Sequence, residues 1–251
     1  MEEIRLKGIV VGSAYQGEYG RRLKLITDGL GRITVFAQGA AKAGSKLIGA
    51  VRPFTCAKFE LAKGKNAYNL RGVKVIESFD GIALDPDVYA YASYVLETAE
   101  YFSAEGMDMG EAKNLLNLVY VTLRALSGIL TDCSLSGAAA ALGTDGGKNT
   151  SGRELSCALI ASIYELRLLK LEGEYTTDMP INDGSGSHAA ACALWKHSLL
   201  SPLTSLYAVP SDLDKAAKDL FTENVKRLFE RQVRHDFKSV RAMGFMNGLR
   251  L

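Results

Sequence analysis

The sequence predicts a mixed α+β chain in which a five-stranded β-barrel precedes an all-α helical bundle. Three observations carry that expectation. Apolar residues alternate with period two as far as residue 80 and recur every three or four residues beyond it. Glycine punctuates the first segment at short, even intervals, as strands joined by tight turns require. Charge changes sign with the period: residues 1–80 carry a net +7, residues 81–222 a net −9 and residues 223–251 a net +4.

In the first segment, Ile4 to Tyr15 is rich in Ile and Val, and Arg22-Leu23-Lys24-Leu25 alternates. The Asp28-Gly29-Leu30-Gly31 turn leads into Ile33-Thr34-Val35-Phe36-Ala37, with Ile33, Val35 and Ala37 on one face. Phe54 to Leu61 and Ala67 to Ile76, separated by Lys63-Gly64-Lys65-Asn66, read as a hairpin. Five strands in so short a span fit a small closed barrel better than a sandwich, which needs about seven.

Beyond residue 80, Asp85-Pro86 supplies an N-cap acid and a first-turn proline. Ala92, Val95, Leu96, Ala99 and Phe102 then share a helical face. Further helices are expected near 111–130, 153–172 and 189–199, and a long one over 212–238. The domains expected are 1–80 and 81–251, with flexible loops near 131–152, which is small and glycine-rich, and 174–187.

Composition excludes several classes of protein. With 47% hydrophobic and 23% charged residues, the chain has enough apolar material to offset folding entropy. No run of about 18 apolar residues is present to span a membrane. The opening MEEIRLKG places acids before a strand-like pattern, the wrong order for a secretory leader, so cytoplasmic residence is expected. Cys56, Cys133, Cys157 and Cys192 lie far apart without a C-x-x-C, which reads as reduced core thiols.

Catalytic motifs fail on inspection. Gly146-Gly147-Lys148-Asn149-Thr150 imitates a phosphate loop, but Leu142 stands where its first glycine belongs and Asn149 follows the lysine. His188, His197 and His235 have no H-E-x-x-H spacing, and no nucleophile elbow occurs. Trp195 reads as a core anchor. No enzyme activity and no cofactor are expected.

Two cationic constellations remain. Arg21, Arg22, Lys24, Arg32, Lys42 and Lys46 surround Tyr19, Phe36 and Tyr68 in the barrel segment. Phosphates are neutralised by such cations without regard to sequence, and bases stack on such rings, so this is a candidate single-strand binding surface. The second is Arg227, Arg231, Arg234, Lys238 and Arg241, at spacings of four, three, four and three. On one continuous helix they spread over about 80°, opposite Phe221, Val225, Leu228, Phe229, Val233 and Phe237. Such a stripe is a candidate for DNA or an acidic partner.

The stretches Lys7-Gly8-Ile9-Val10, Gly17-Glu18-Tyr19-Gly20-Arg21-Arg22-Leu23, Leu30 to Ala40, Ser45-Lys46-Leu47 and Pro53-Phe54 resemble the N-terminal domain of the bacterial DNA repair family RecO. Glu165-Leu166-Arg167-Leu168-Leu169, Leu200-Ser201-Pro202-Leu203 and Phe237-Lys238-Ser239 are similar to its C-terminal domain. The resemblance implies an OB-fold barrel followed by a helical bundle, without catalytic residues. It implies binding of single- and double-stranded DNA and annealing of complementary strands. It also implies partnership with RecR and with the acidic C-terminal tail of single-stranded-DNA-binding protein, in the service of RecA loading. Many relatives hold zinc with cysteine pairs after the Glu-Leu-Arg-Leu-Leu helix. Tyr175 to His188 contains no cysteine, so no metal is carried over. The rival readings are an OB-type RNA-binding or ribosome-associated factor and, behind it, an enzyme whose glycine-rich loop is a lid.

Overall fold

The computed structural model describes residues 3–65, 67–140, 150–181, 186–209 and 213–240. Five strands form first: β1 (Glu3–Gln16), β2 (Gly20–Thr27), β3 (Gly31–Ala37), β4 (Thr55–Lys63) and β5 (Tyr68–Ser78). At 14 residues β1 is long enough to serve two neighbours, pairing with β4 through its first half and β2 through its second. The register shifts between Val10 and Gly12, where one extra residue bends the strand. Antiparallel β2–β3 and β4–β5 pairs and a short parallel β3–β5 contact close the barrel in the order β1-β2-β3-β5-β4.

Alternation decides what fills it. Val10, Leu23, Leu25, Ile33, Val35, Phe59 and Leu61 point inward and lose essentially all solvent contact. Each such side chain contributes about 1.5–3 kcal/mol on burial. Arg22, Lys24 and Arg32, at the intervening positions, stay exposed.

The helices are α1 (Pro86–Phe102), α2 (Met109–Ala140), α3 (Thr150–Leu171), α4 (His188–Leu200) and α5 (Lys215–Gln232). As the Asp-Pro pair predicts, the Asp85 carboxylate accepts from the N–H groups of Asp87 and Val88 at 3.1 and 3.0 Å. Two expectations are corrected. Residues 131–140 continue α2 where a loop was expected, and the alanines at 138–140, the best helix formers, outweigh the nearby serine and glycine. Residues 141–149, with most of the imitation phosphate loop, lie outside the described residues, as does Arg241. The last helix ends at Gln232, six residues short of Lys238.

The chain packs as two compact units, Met1–Leu84 with Leu96–Leu123 and Asp85–Val95 with Arg124–Leu251. In the first, Gly31 at φ +64° lies so close to residues 104–107 that a Cβ there would sit 2.1 Å from the Ala104 carbonyl oxygen. The Arg32 N–H donates to that oxygen at 3.3 Å, and the Gly106 N–H donates to Leu30.

In the second unit, Trp195 is fully buried, edge-on to Phe221, and its indole N–H donates to Thr176 at 3.0 Å. That is the anchoring role expected of it. Tyr94 donates to Glu165 at 2.5 Å, and Tyr164 donates to the Val95 carbonyl. The Arg167 guanidinium reaches the carbonyls of Ser198, Leu199 and Ser201 at 3.0, 2.6 and 2.7 Å, closing the C-terminal end of α4. The two charged positions of Glu165-Leu166-Arg167 therefore serve the fold. Among the described residues no helix is long and apolar enough to cross a membrane.

Candidate nucleic-acid interface

At one end of the barrel, the close of β1, the start of β2 and the close of β3 surround a groove of about 690 Å³. Its walls include Tyr19, Arg21, Phe36, Lys42 and Asn69. The backbone brings these together locally. The Gly17 turn, at φ +64°, returns β1 into β2, and the Ala41 N–H donates to the Tyr19 carbonyl at 3.0 Å, pinning the following loop against that turn.

Cations and rings are interleaved here. The Arg21 guanidinium lies 4.3 Å from the centre of the Tyr15 ring and donates to Ser13 Oγ at 3.3 Å. The Lys42 ammonium lies 5.4 Å from the centre of the Tyr19 ring. Tyr15 is 72% exposed and Tyr19 48% exposed. Each ring is held by its cation on one side, which limits the entropy lost when a base stacks on it. The Tyr19 hydroxyl is held above its ordinary pKa, first by its hydrogen bond to Glu18, so it stays protonated and donor-competent.

The remaining expected residues distribute differently. Arg22 stands opposite Phe36 across the β2–β3 ladder, so cation and ring share the outer face beside the groove. Lys24 pairs with the Glu100 carboxylate, and Arg32 donates to the Glu100 carbonyl at 3.2 Å, with 3.8 Å to its carboxylate. These two lie around a separate hollow with Glu105. Lys46 is exposed on the loop after β3 but does not line the groove. Tyr68 turns toward the barrel core, against which it packs half-buried. Sequence reasoning did not select Tyr15. The available signal was its position at the exposed end of β1, one turn before the arginines.

The C-terminal constellation is assembled less completely. Asp214 caps α5 by accepting from the Ala217 N–H at 2.6 Å, and Phe221, Val225, Leu228 and Phe229 are buried as the pattern predicts. On a straight helix Phe237 would lie about 160° around from Phe221. Both nevertheless reach the core: Phe237 packs on Tyr94 with ring centres 5.7 Å apart. The helix stops to allow this, and Val233 at its end is extended. Arg227 and Arg231 therefore lie on α5, while Arg234 and Lys238 follow its end. Arg227 donates to Glu223 at 2.6 Å, so an acid four residues back shares the expected stripe.

His188 Nε2 meets Cys192 Sγ at 3.3 Å, one turn apart on α4. Among the described residues these do not join a third or fourth ligand.

Comparison with known proteins bears on residues 1–79, which match the family model described as "Recombination protein O N terminal". A DNA repair protein RecO of Desulforudis audaxviator is 36% identical over 106 residues, 42% of this chain and 43% of that protein. That of Alkaliphilus metalliredigens is 32% identical over 113 residues, 45% and 46% of the two chains. That of Caldanaerobacter subterraneus is 25% identical over 158 residues, 55% and 64%. The chain thus spans less than half the length of the first two relatives.

Proposed function

We propose that the protein, whose residues 1–79 match the N-terminal model of the RecO family, is a recombination mediator of that family that binds single- and double-stranded DNA and anneals complementary strands. The observation that carries this reading is the groove walled by Tyr19, Arg21, Phe36 and Lys42, where Lys42 lies over the Tyr19 ring and Arg21 over the adjoining Tyr15 ring. The barrel is read as an OB-fold, whose strand 2–3 face and neighbouring loops take oligonucleotides, and the groove lies at that face. Arg22 extends the path. Lys24, Arg32, Lys46 and Tyr68 belong to the same proposed surface, with Lys24 and Arg32 able to contribute only by loosening from Glu100.

Annealing needs no proton transfer. It needs two polyanions brought together with their charge neutralised, which is what cationic surfaces supply. RecR and the acidic tail of single-stranded-DNA-binding protein are the proposed partners, in support of RecA loading. Arg227, Arg231, Arg234 and Lys238 remain the proposed surface for such a tail.

The test is a titration of a fluorescent oligothymidylate at several salt concentrations. Arg21→Ala/Lys42→Ala should lower the salt slope by about 1.4, two phosphates at about 0.7 each. Tyr15→Ala/Tyr19→Ala should weaken binding at least about thirtyfold with the slope kept, because stacking on each ring is worth about 1–3 kcal/mol. Unchanged binding in both variants would remove the groove from the interface, and tighter binding of an RNA of matched sequence would favour an RNA-binding factor.

A further inference from the structure

The opposite end of β1 carries a second cationic surface that the sequence pattern does not display. Lys7 on β1 is the cross-strand partner of Lys58 on β4, and Lys58 is the partner of Lys74 on β5. Direct partners share a face of the sheet, so three lysines form one row about 10 Å long across three adjacent strands. Like charges placed directly opposite one another destabilise a sheet. The neighbouring acids, of which Asp28 and Glu60 line the same groove as the row, are engaged elsewhere. Glu60 pairs with Arg5 at 3.0 Å and its carboxylate lies over Gly72, where a Cβ would come within 2.6 Å of it. Asp28 accepts the backbone N–H of Lys7 at 3.1 Å, and Glu77 accepts the Tyr120 hydroxyl. No ion pair to any of the three lysines is found among the described residues. The Lys7 ammonium is instead held 4.7 Å from the centre of the Tyr120 ring.

The row borders a groove of about 690 Å³ that shares no residue with the one beside Arg21 and Lys42. Lys7 and Gln16 are nine residues apart on β1, which at about 3.3 Å per residue puts the two grooves up to about 30 Å apart along the strand.

We infer that the Lys7, Lys58 and Lys74 row is a second polyanion site, which takes the phosphate backbone of a second nucleic-acid strand while the first groove holds another. Two separated sites on one closed barrel would let a single chain hold both partners of an annealing reaction. The inference rests on the proposed nucleic-acid function of the first groove.

The test compares the full-length chain with Lys58→Gln/Lys74→Gln and Arg21→Gln/Lys42→Gln, each first checked for wild-type thermal unfolding. Calorimetric titration at low salt with hexathymidylate should give two strands per wild-type chain and one strand per chain for either variant. The annealing rate of two complementary 30-nucleotide strands should fall at least about fivefold in the Lys58→Gln/Lys74→Gln variant. One strand per wild-type chain, unchanged by Lys58→Gln/Lys74→Gln but lost in Arg21→Gln/Lys42→Gln, would overturn the second site and leave the first groove standing. Absence of any strand binding to the wild-type chain would instead overturn the proposed function itself.

Discussion

At the barrel mouth and in the helical unit, charged side chains are put to opposite uses. Around the barrel mouth, Arg21 and Lys42 lie on aromatic rings facing solvent, and Arg22 is exposed beside Phe36. In the helical unit, Arg167 is spent on three carbonyls at the end of α4, Glu165 is hydrogen-bonded to Tyr94, and Arg227 is paired with Glu223. A charge whose hydrogen bonds are already taken by the fold is costly to redirect, whereas one resting on a ring exchanges that contact for a phosphate with little loss. The difference predicts that charge removal will cost stability in one unit and affinity in the other.

The largest effect is expected at Arg167. Its replacement by Ala leaves the Ser198 and Ser201 carbonyls without their charged donor, while Lys170, which already donates to Leu199 at 2.5 Å, keeps one contact. A loss of about 2–3 kcal/mol should follow, seen as a fall in melting temperature of roughly 5–10 °C. Oligothymidylate affinity at a temperature where the variant is folded should stay within about twofold of wild type. A large loss of affinity with unchanged melting would reverse the comparison, making Arg167 a ligand contact.

Next comes Glu165. Its carboxyl is pushed up to about 7, first by burial and then by Glu230, against the opposing effects of the Tyr94 hydrogen bond and of Lys226. His235 and Asp236 border the same hollow of about 440 Å³. The folded value lies above the ordinary carboxyl value of about 4.3, so the stabilisation is complete below that pH and is lost as pH rises through about 7. The change should be on the order of 3 kcal/mol. Denaturant midpoints of the wild type should therefore fall between about pH 4 and 7. In Glu165→Gln that slope should flatten, and the variant should be the more stable protein at pH 8. Parallel pH profiles for the two proteins would show that Glu165 ionises normally in the fold.

The barrel was legible because its evidence is local. Strand alternation, the Asp28 to Gly31 turn and the Lys63 to Asn66 connection each depend on residues close in sequence, and the structure places all five strands where those signals lie. What failed depended on distant partners. The stripe from Arg227 to Lys238 reads as one helix only until Phe237 must reach Tyr94. Lys24 and Arg32 look available until Glu100, far along the chain, is brought to them. The Lys7, Lys58 and Lys74 row is invisible along the chain, since its members become neighbours only through strand register.

The smallest effect is expected from Arg231→Glu/Arg234→Glu. Both residues are exposed, and the helix ends between them, so reversal should leave stability within about 0.5 kcal/mol of wild type. Without a continuous helix they do not present a regular line of charge to a phosphate backbone. Their contribution to DNA binding should then be long-range attraction, which salt screens over about 8 Å at physiological ionic strength. Oligothymidylate affinity near 0.15 M salt should fall less than about threefold, with a steeper fall at about 0.01 M, where screening extends to about 30 Å. A loss of about tenfold or more at the higher salt, with helicity intact, would mark direct contact. It would show that the helical unit, too, keeps cations in reserve for a polyanion, and the contrast between the two units would then hold only for Arg167 and Glu165.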